Sequence, residues 1–129
     1  MNFYPLTAVT TDVHILKTEY QAAKEIGVIR LGENNLFFRK SLKIYYVPYA
    51  DISRCFRRVM SVPAKLCCGK GDFEIENLVI CVEDVEIAQI QLPGTRAAKA
   101  LIDELKLLMP HAQFTYSSDD SDMTKETQE

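Results

Sequence analysis

The residues that could do chemistry are few, and their spacing limits them. His14 and His111 stand near opposite ends of the chain. Neither adjoins a Cys or Ser nucleophile motif, and neither belongs to a metal-spaced cluster. Cys55, Cys67, Cys68 and Cys81 lack the C-x-x-C spacing of a zinc site or redox pair. Cys55 and Cys81 lie inside apolar strand patterns and read as small buried hydrophobes. A redox or metal role for the adjacent Cys67-Cys68 is the alternative. Oxidised together, that pair would close a strained ring, because one peptide unit holds its Cα atoms closer than most disulfides prefer. Gly69-Lys-Gly-Asp72 lacks the G-x-x-x-x-G-K-[ST] spacing of a phosphate loop. Glu74, Glu76, Glu83, Asp84 and Glu86 read as the solvated outer charges of a hairpin. No catalytic residue, metal site or cofactor is expected.

The cations make the stronger candidate. Arg39, Lys40 and Lys43 cluster at one predicted hairpin, and Arg54, Arg57 and Arg58 on the strand after it, with Lys65 and Lys70 beyond. Such a patch would attract anionic lipid headgroups, at about 1 kcal/mol per basic residue near the surface, or an acidic protein segment. The competing reading is a solvated strand face whose charges block unwanted pairing. Nucleic acid is not expected, because the chain has neither a strongly basic net charge nor aromatic stacking motifs.

The net charge of −3 hides an asymmetry. Residues 1–70 hold 11 Lys/Arg against 5 Asp/Glu, and residues 71–129 hold 4 against 13. The segment 117–129 has five acids, one Lys and almost nothing apolar. It cannot bury enough surface to offset its ordering entropy, so a disordered acidic tail is expected. Folded back, it would shield the basic surface. Phosphate on Ser117, Ser118, Ser121 or Thr124 would add about −1.5 to −2 charges per site.

These residues need a scaffold. At 129 residues and 47% apolar, one domain with a real core is expected. Residues 8–16 alternate, with Val9, Thr11, Val13 and Ile15 on one side, which suits a strand. Thr18-Glu-Tyr-Gln21 has capping-box spacing and opens a short helix over 18–25, which Gly27 could end, the rival being an extended or bulged continuation of the strand. Ile26–Leu31 reads as a strand, Gly32-Glu-Asn-Asn35 as a turn and Leu36–Lys40 as its hairpin partner. Lys43–Val47 is a further strand, stopped by Pro48. Asp51–Met60 follows, with arginine stems covering apolar surface. Ala64–Cys68 is a short strand and Gly69–Asp72 a turn. Phe73–Val82 and Val85–Leu92 form a hairpin around Glu83-Asp84. An amphipathic helix with Thr95 as N-cap then runs to Pro110, its face made by Ala98, Leu101, Ile102, Leu105, Leu108 and Met109. Phe37, Phe38, Tyr45, Tyr46, Tyr49 and Phe56 read as core and cross-strand packing.

This order of hairpins and one closing helix resembles the pleckstrin-homology-like superfold. So do Ile44-Tyr-Tyr-Val-Pro-Tyr-Ala-Asp-Ile-Ser53, a strand bent at proline into an acidic-Ile step as in bacterial PH-like and GRAM-like domains, and Leu92-Pro-Gly-Thr-Arg-Ala-Ala-Lys-Ala-Leu-Ile-Asp-Glu-Leu105. The resemblance implies a mainly β fold with α: a bent antiparallel sandwich or barrel of about seven strands, capped by one C-terminal helix. Arg39, Lys40 and Lys43 echo only part of the basic motif of phosphoinositide-binding members, and the closing helix has no Trp, so no dedicated inositol-phosphate pocket is expected.

The expectation is one domain over 1–116, with its core in 26–110 and an N-terminal strand and short helix in 8–25. Its function would be non-catalytic binding or scaffolding, engaging a protein partner or itself. The alternative is an anionic-lipid module using Arg39, Lys40, Lys43, Arg54, Arg57 and Arg58, modulated by the tail. The opening Met1-Asn-Phe-Tyr-Pro-Leu6 lacks the pattern of a signal peptide, so a cytoplasmic location is expected.

Overall fold

From Leu36 to Phe38 and from Ile44 to Val47, apolar side chains fill consecutive positions, so both faces of that hairpin need cover. The computed structural model, which describes residues 2–8, 10–63 and 72–114, shows what supplies it. Strands β1 (Phe3–Pro5), β2 (Lys24–Ile26), β3 (Ile29–Leu31), β4 (Asn35–Lys40) and β5 (Lys43–Pro48) form one sheet in the order β1-β5-β4-β3-β2. β1 runs parallel to β5, and the other pairs are antiparallel. Strands β6 (Arg54–Pro63), β7 (Asp72–Val82) and β8 (Val85–Leu92) form a second, antiparallel sheet. Helix α1 (Val13–Ala22) precedes β2, and helix α2 (Thr95–Leu108) follows β8. The described residues are thus mainly β, with two helices.

Alternation along β4 and β5 sorts their side chains. Leu36, Phe38 and Val47 join Cys55, Leu78, Ile80 and Ile90 of the second sheet, and Ala98, Leu101, Leu105 and Met109, in the main core. Phe37, Ile44 and Tyr46 point to the other face, where Leu16 and Tyr20 of α1 cover them. The Tyr20 and Phe37 rings meet edge to face at 5.2 Å. Of the predicted aromatic cluster, Phe37, Phe38, Tyr46, Tyr49 and Phe56 are buried and Tyr45 partly so, but Phe56 lies apart, on the second sheet with Val79 and Cys81.

The N-terminal part differs from its sequence pattern. Residues 13–22 are helical, not a strand over 8–16 followed by a helix at 18–25. The Asp12 carboxylate accepts from His14 N at 2.7 Å and caps the helix. Leu16 and Tyr20, four apart, then bury one face, while Val13 and Ile15 are exposed. Thr18 is no cap: it lies mid-helix and donates to His14 O. Gly27, at φ 62°, turns β2 into β3 instead of ending the helix, so the predicted strand 26–31 is a tight hairpin beginning at Lys24.

The C-terminal part follows its pattern more closely. Glu83 and Asp84, at φ 54° and 64°, make the two-residue left-handed turn that a hairpin favours. In α2, Ala98, Leu101 and Leu105 are fully buried, whereas Leu108 is exposed. Gly94, not Thr95, is the N-cap. The predicted strand 64–68, the turn from Gly69 to Gly71, Lys65, Lys70, Cys67-Cys68 and the tail 117–129 lie outside the described residues.

Candidate functional site

β3 is only three residues long, and its register against β4 ends at Ile29↔Phe38. Arg39 N still donates to Val28 O at 3.1 Å, but the end of β4 then runs on without a neighbouring strand on that side. Facing it is β8, the last strand of the second sheet. The two sheets touch where Gly27 meets Pro93, so closely that a Cβ on Gly27 would come within 2.9 Å of the proline ring. Beside that contact they diverge into an open groove of about 620 Å³. Phe38, Arg39 and Lys40 line one wall, and Asn77, Gln89 and Gln91 the other.

Arg39, Lys40 and Lys43 are exposed, and among the described residues none of them forms an ion pair. Lys43 lies over the Tyr4 ring at 5.2 Å. Lys40 and Lys43 are register partners, so two like charges stand opposite each other across the hairpin end. That costs stability and leaves the positive field open to a ligand.

The arginines of β6 are differently placed. Arg57 grips Glu76 through two bonds of 3.0 and 2.6 Å, and Thr95 Oγ1 donates to the same carboxylate at 2.8 Å. Glu76 is 4% exposed, so it is not the outer charge its pattern suggested. It lies on the inner face, where it ties β6 and β7 to the start of α2. The Arg57 bonds, joined by Thr95 and working against burial, hold its carboxyl below the usual range. Arg54 is buried and pairs with Asp84 at 3.2 Å. Arg58 binds both oxygens of Glu86 and the side-chain oxygen of Gln89, at 2.7 Å. The six predicted basic residues therefore separate: among the described residues three stand without an ion pair at the β4–β5 end, and three are held by carboxylates on the second sheet.

Arg58 reaches both Glu86 and Gln89 because of a register shift between Ile80 and Cys81. Strict alternation would put Glu86 and Gln89 on opposite faces. The bulge brings them to one face and fixes Gln89 on the groove wall. The amides Asn77, Gln89 and Gln91 were missed from sequence. The only signal was the polar spacing Glu86, Gln89, Gln91 in Val85–Leu92.

A second cleft, of about 900 Å³, lies between the chain after β1 and the β7–β8 turn. His111, Asp51 and Asp84 border it, but each is engaged. His111 Nε2 sits 3.0 and 3.2 Å from the Tyr49 and Ile52 carbonyls, Asp51 accepts from Thr7, and Asp84 holds Arg54. His14, exposed on α1, borders a different cleft. Burial, with the Cys81 charge adding, pushes the Cys55 thiol up to about 12. The described residues contain no cluster of three or more His, Cys, Asp and Glu able to hold a metal ion. No described helix is long and apolar enough to cross a membrane. Compared with family models, curated proteins and solved structures, the chain gives no match.

Proposed function

We propose that this chain is a non-catalytic binding module of pleckstrin-homology-like architecture, working in the cytoplasm, whose partner is an extended acidic segment of another protein. The order of elements supports the architecture: four antiparallel strands β2–β5, three more in β6–β8, then α2. The observation that carries the function is an open strand edge beside cations that have no ion pair among the described residues. Arg39 and Lys40 line a groove whose opposite wall is β8, and β8 has no strand beyond it among the described residues. An extended segment adds to such an edge through main-chain hydrogen bonds, and its side chains meet the pockets alongside. Acidic side chains would find Arg39 and Lys40 across the groove and amide donors on Gln89 and Gln91.

The test is an NMR titration of the whole chain with a peptide of alternating Glu and Val. The backbone amides of Gln89 and Gln91 should shift, with affinity falling as salt rises. Arg39→Glu with Lys40→Glu should remove the response. Unmoved β8 amides would end the proposal. A dimer seen by light scattering and lost in the same double variant would make a second copy the occupant.

A further inference from the structure

Met60 and Met109 are the methionines among the described residues, and their settings differ. Met109 is fully buried in the core, whereas Met60 is 43% exposed on β6. Two carboxamides aim at the Met60 sulfur: Asn77 Nδ2 and Gln89 Nε2 each donate to Sδ at 3.5 Å. The direction of the Gln89 amide is set by Arg58. A guanidinium only donates, and Arg58 Nη1 donates to Gln89 Oε1 at 2.7 Å, so the Gln89 nitrogen is left facing the sulfur. Arg58 is itself held by Glu86. Asn77 is 5% exposed, so its amide has little water to turn to. A thioether is a weak acceptor and returns little for two amide donors. A sulfoxide oxygen in the same place would return much more, because oxidation makes this apolar side chain polar.

We propose that Met60 is a modification site, oxidised by peroxide to the sulfoxide, whose oxygen then accepts from Asn77 Nδ2 and Gln89 Nε2. With hydrogen peroxide, a sulfur lone pair attacks one oxygen, so that the S–O bond forms as the O–O bond breaks. The other oxygen leaves with its electron pair, takes up the proton of the transferred oxygen and departs as water. Sulfur loses two electrons and the peroxide gains them. Amide donors beside the sulfur favour the charge that develops on the peroxide oxygens. The Met60 side chain is unbranched and exposed, so it can draw back as the oxygen enters. Sulfoxide reductases restore the thioether. Both amides also line the groove. Where the groove is read as the seat of an acidic segment, oxidation therefore withdraws donors from that partner; the oxidation site itself does not rest on that reading.

Peptide mass spectrometry of the whole chain after hydrogen peroxide should find Met60 as the sulfoxide while Met109 remains a thioether. Oxidation of Met109 as fast as Met60 would overturn the proposal. Exposure alone would pass that test, so the amides decide. On oxidation the side-chain amide signals of Asn77 and Gln89 should move in NMR spectra, and in Met60→Leu peroxide should leave both in place. Gln89→Leu keeps the bulk and removes the donor. Its oxidation should cost about 4 °C more in melting temperature than oxidation of the unaltered chain. Unmoved amide signals in the oxidised chain, or equal losses in the two proteins, would overturn the proposal. Should Gln89→Leu not fold, the amide signals of the unaltered chain decide alone. The Glu-Val peptide should bind the oxidised chain about fivefold more weakly, the order that one lost hydrogen bond represents. Equal binding to both forms would break the link to the groove. A peptide that binds neither form would end the groove reading and leave the sulfoxide site to stand or fall on its amide shifts.

Discussion

Glu76 and Glu19 each hold several groups with one carboxylate, and each should be costly to lose. For Glu76 the sign with pH is set by its hydrogen bonds to Arg57, which keep its folded-state value low. Its contribution is present above the ordinary carboxylate range and is lost as pH falls through the folded value. Urea unfolding across the acid range should therefore show a decline that Glu76→Gln flattens, with about 2–3 kcal/mol lost near neutrality because Arg57 is left half-buried and unpaired. An unchanged acid limb would mean that Glu76 is not the group responsible. Cys55 carries a second expectation. With its thiol pushed up to about 12, it should resist iodoacetamide in the folded protein and react only after denaturation, as read by peptide mass spectrometry. Its burial was legible from the strand pattern in which it stands. The burial of Glu76 was not, because alternation alone does not say which face of β7 turns inward, nor that Arg57 would share that face.

Helix α1 is fastened to the sheet at one turn. Glu19 accepts from Asn34 N, Asn35 N and Asn35 Nδ2 at 2.6, 2.7 and 2.9 Å. A Cβ on Gly32 would lie 2.5 Å from the same carboxylate. Gly32→Ala and Glu19→Ala should each destabilise by about 1–3 kcal/mol. Together they should cost clearly less than their sum, since each breaks the same contact; additivity in the double variant would refute that link. α2 answers to packing instead. Leu101→Ala should cost about 2–5 kcal/mol, whereas Leu107→Ser, at a position 80% exposed, should be nearly neutral in thermal melts. The stripe of α2 was readable because helical period and burial agree there. α1 was misread because its short run alternates by chance, and only Asp12 marked the true start. The β2–β3 hairpin was hidden in six residues that look like one strand, with Gly27 the sole break.

Among the described residues, one sheet carries an apolar layer on each face, apart from the small cluster of Phe56, Val79 and Cys81 on the second sheet. The inner layer is shared with β6–β8 and α2, and the outer one belongs to α1 and the chain before it. A protein beginning at residue 24 would uncover Phe37, Ile44 and Tyr46. It should bind a hydrophobic dye and associate, while the second sheet keeps its amide protection. A dye-silent monomer would show that the outer layer is dispensable. The groove was beyond sequence reasoning because it comes from mismatched strand lengths and the β8 bulge, neither of which leaves a motif. Lys40 facing Lys43 has a wider consequence. The folded hairpin holds a repulsion that any bound polyanion relieves, so ligands for this end need not be guessed one at a time. They should announce themselves as a rise in melting temperature, and a thermal-shift panel of anions ranked by that rise would sort them by how well they bridge the two ammonium groups.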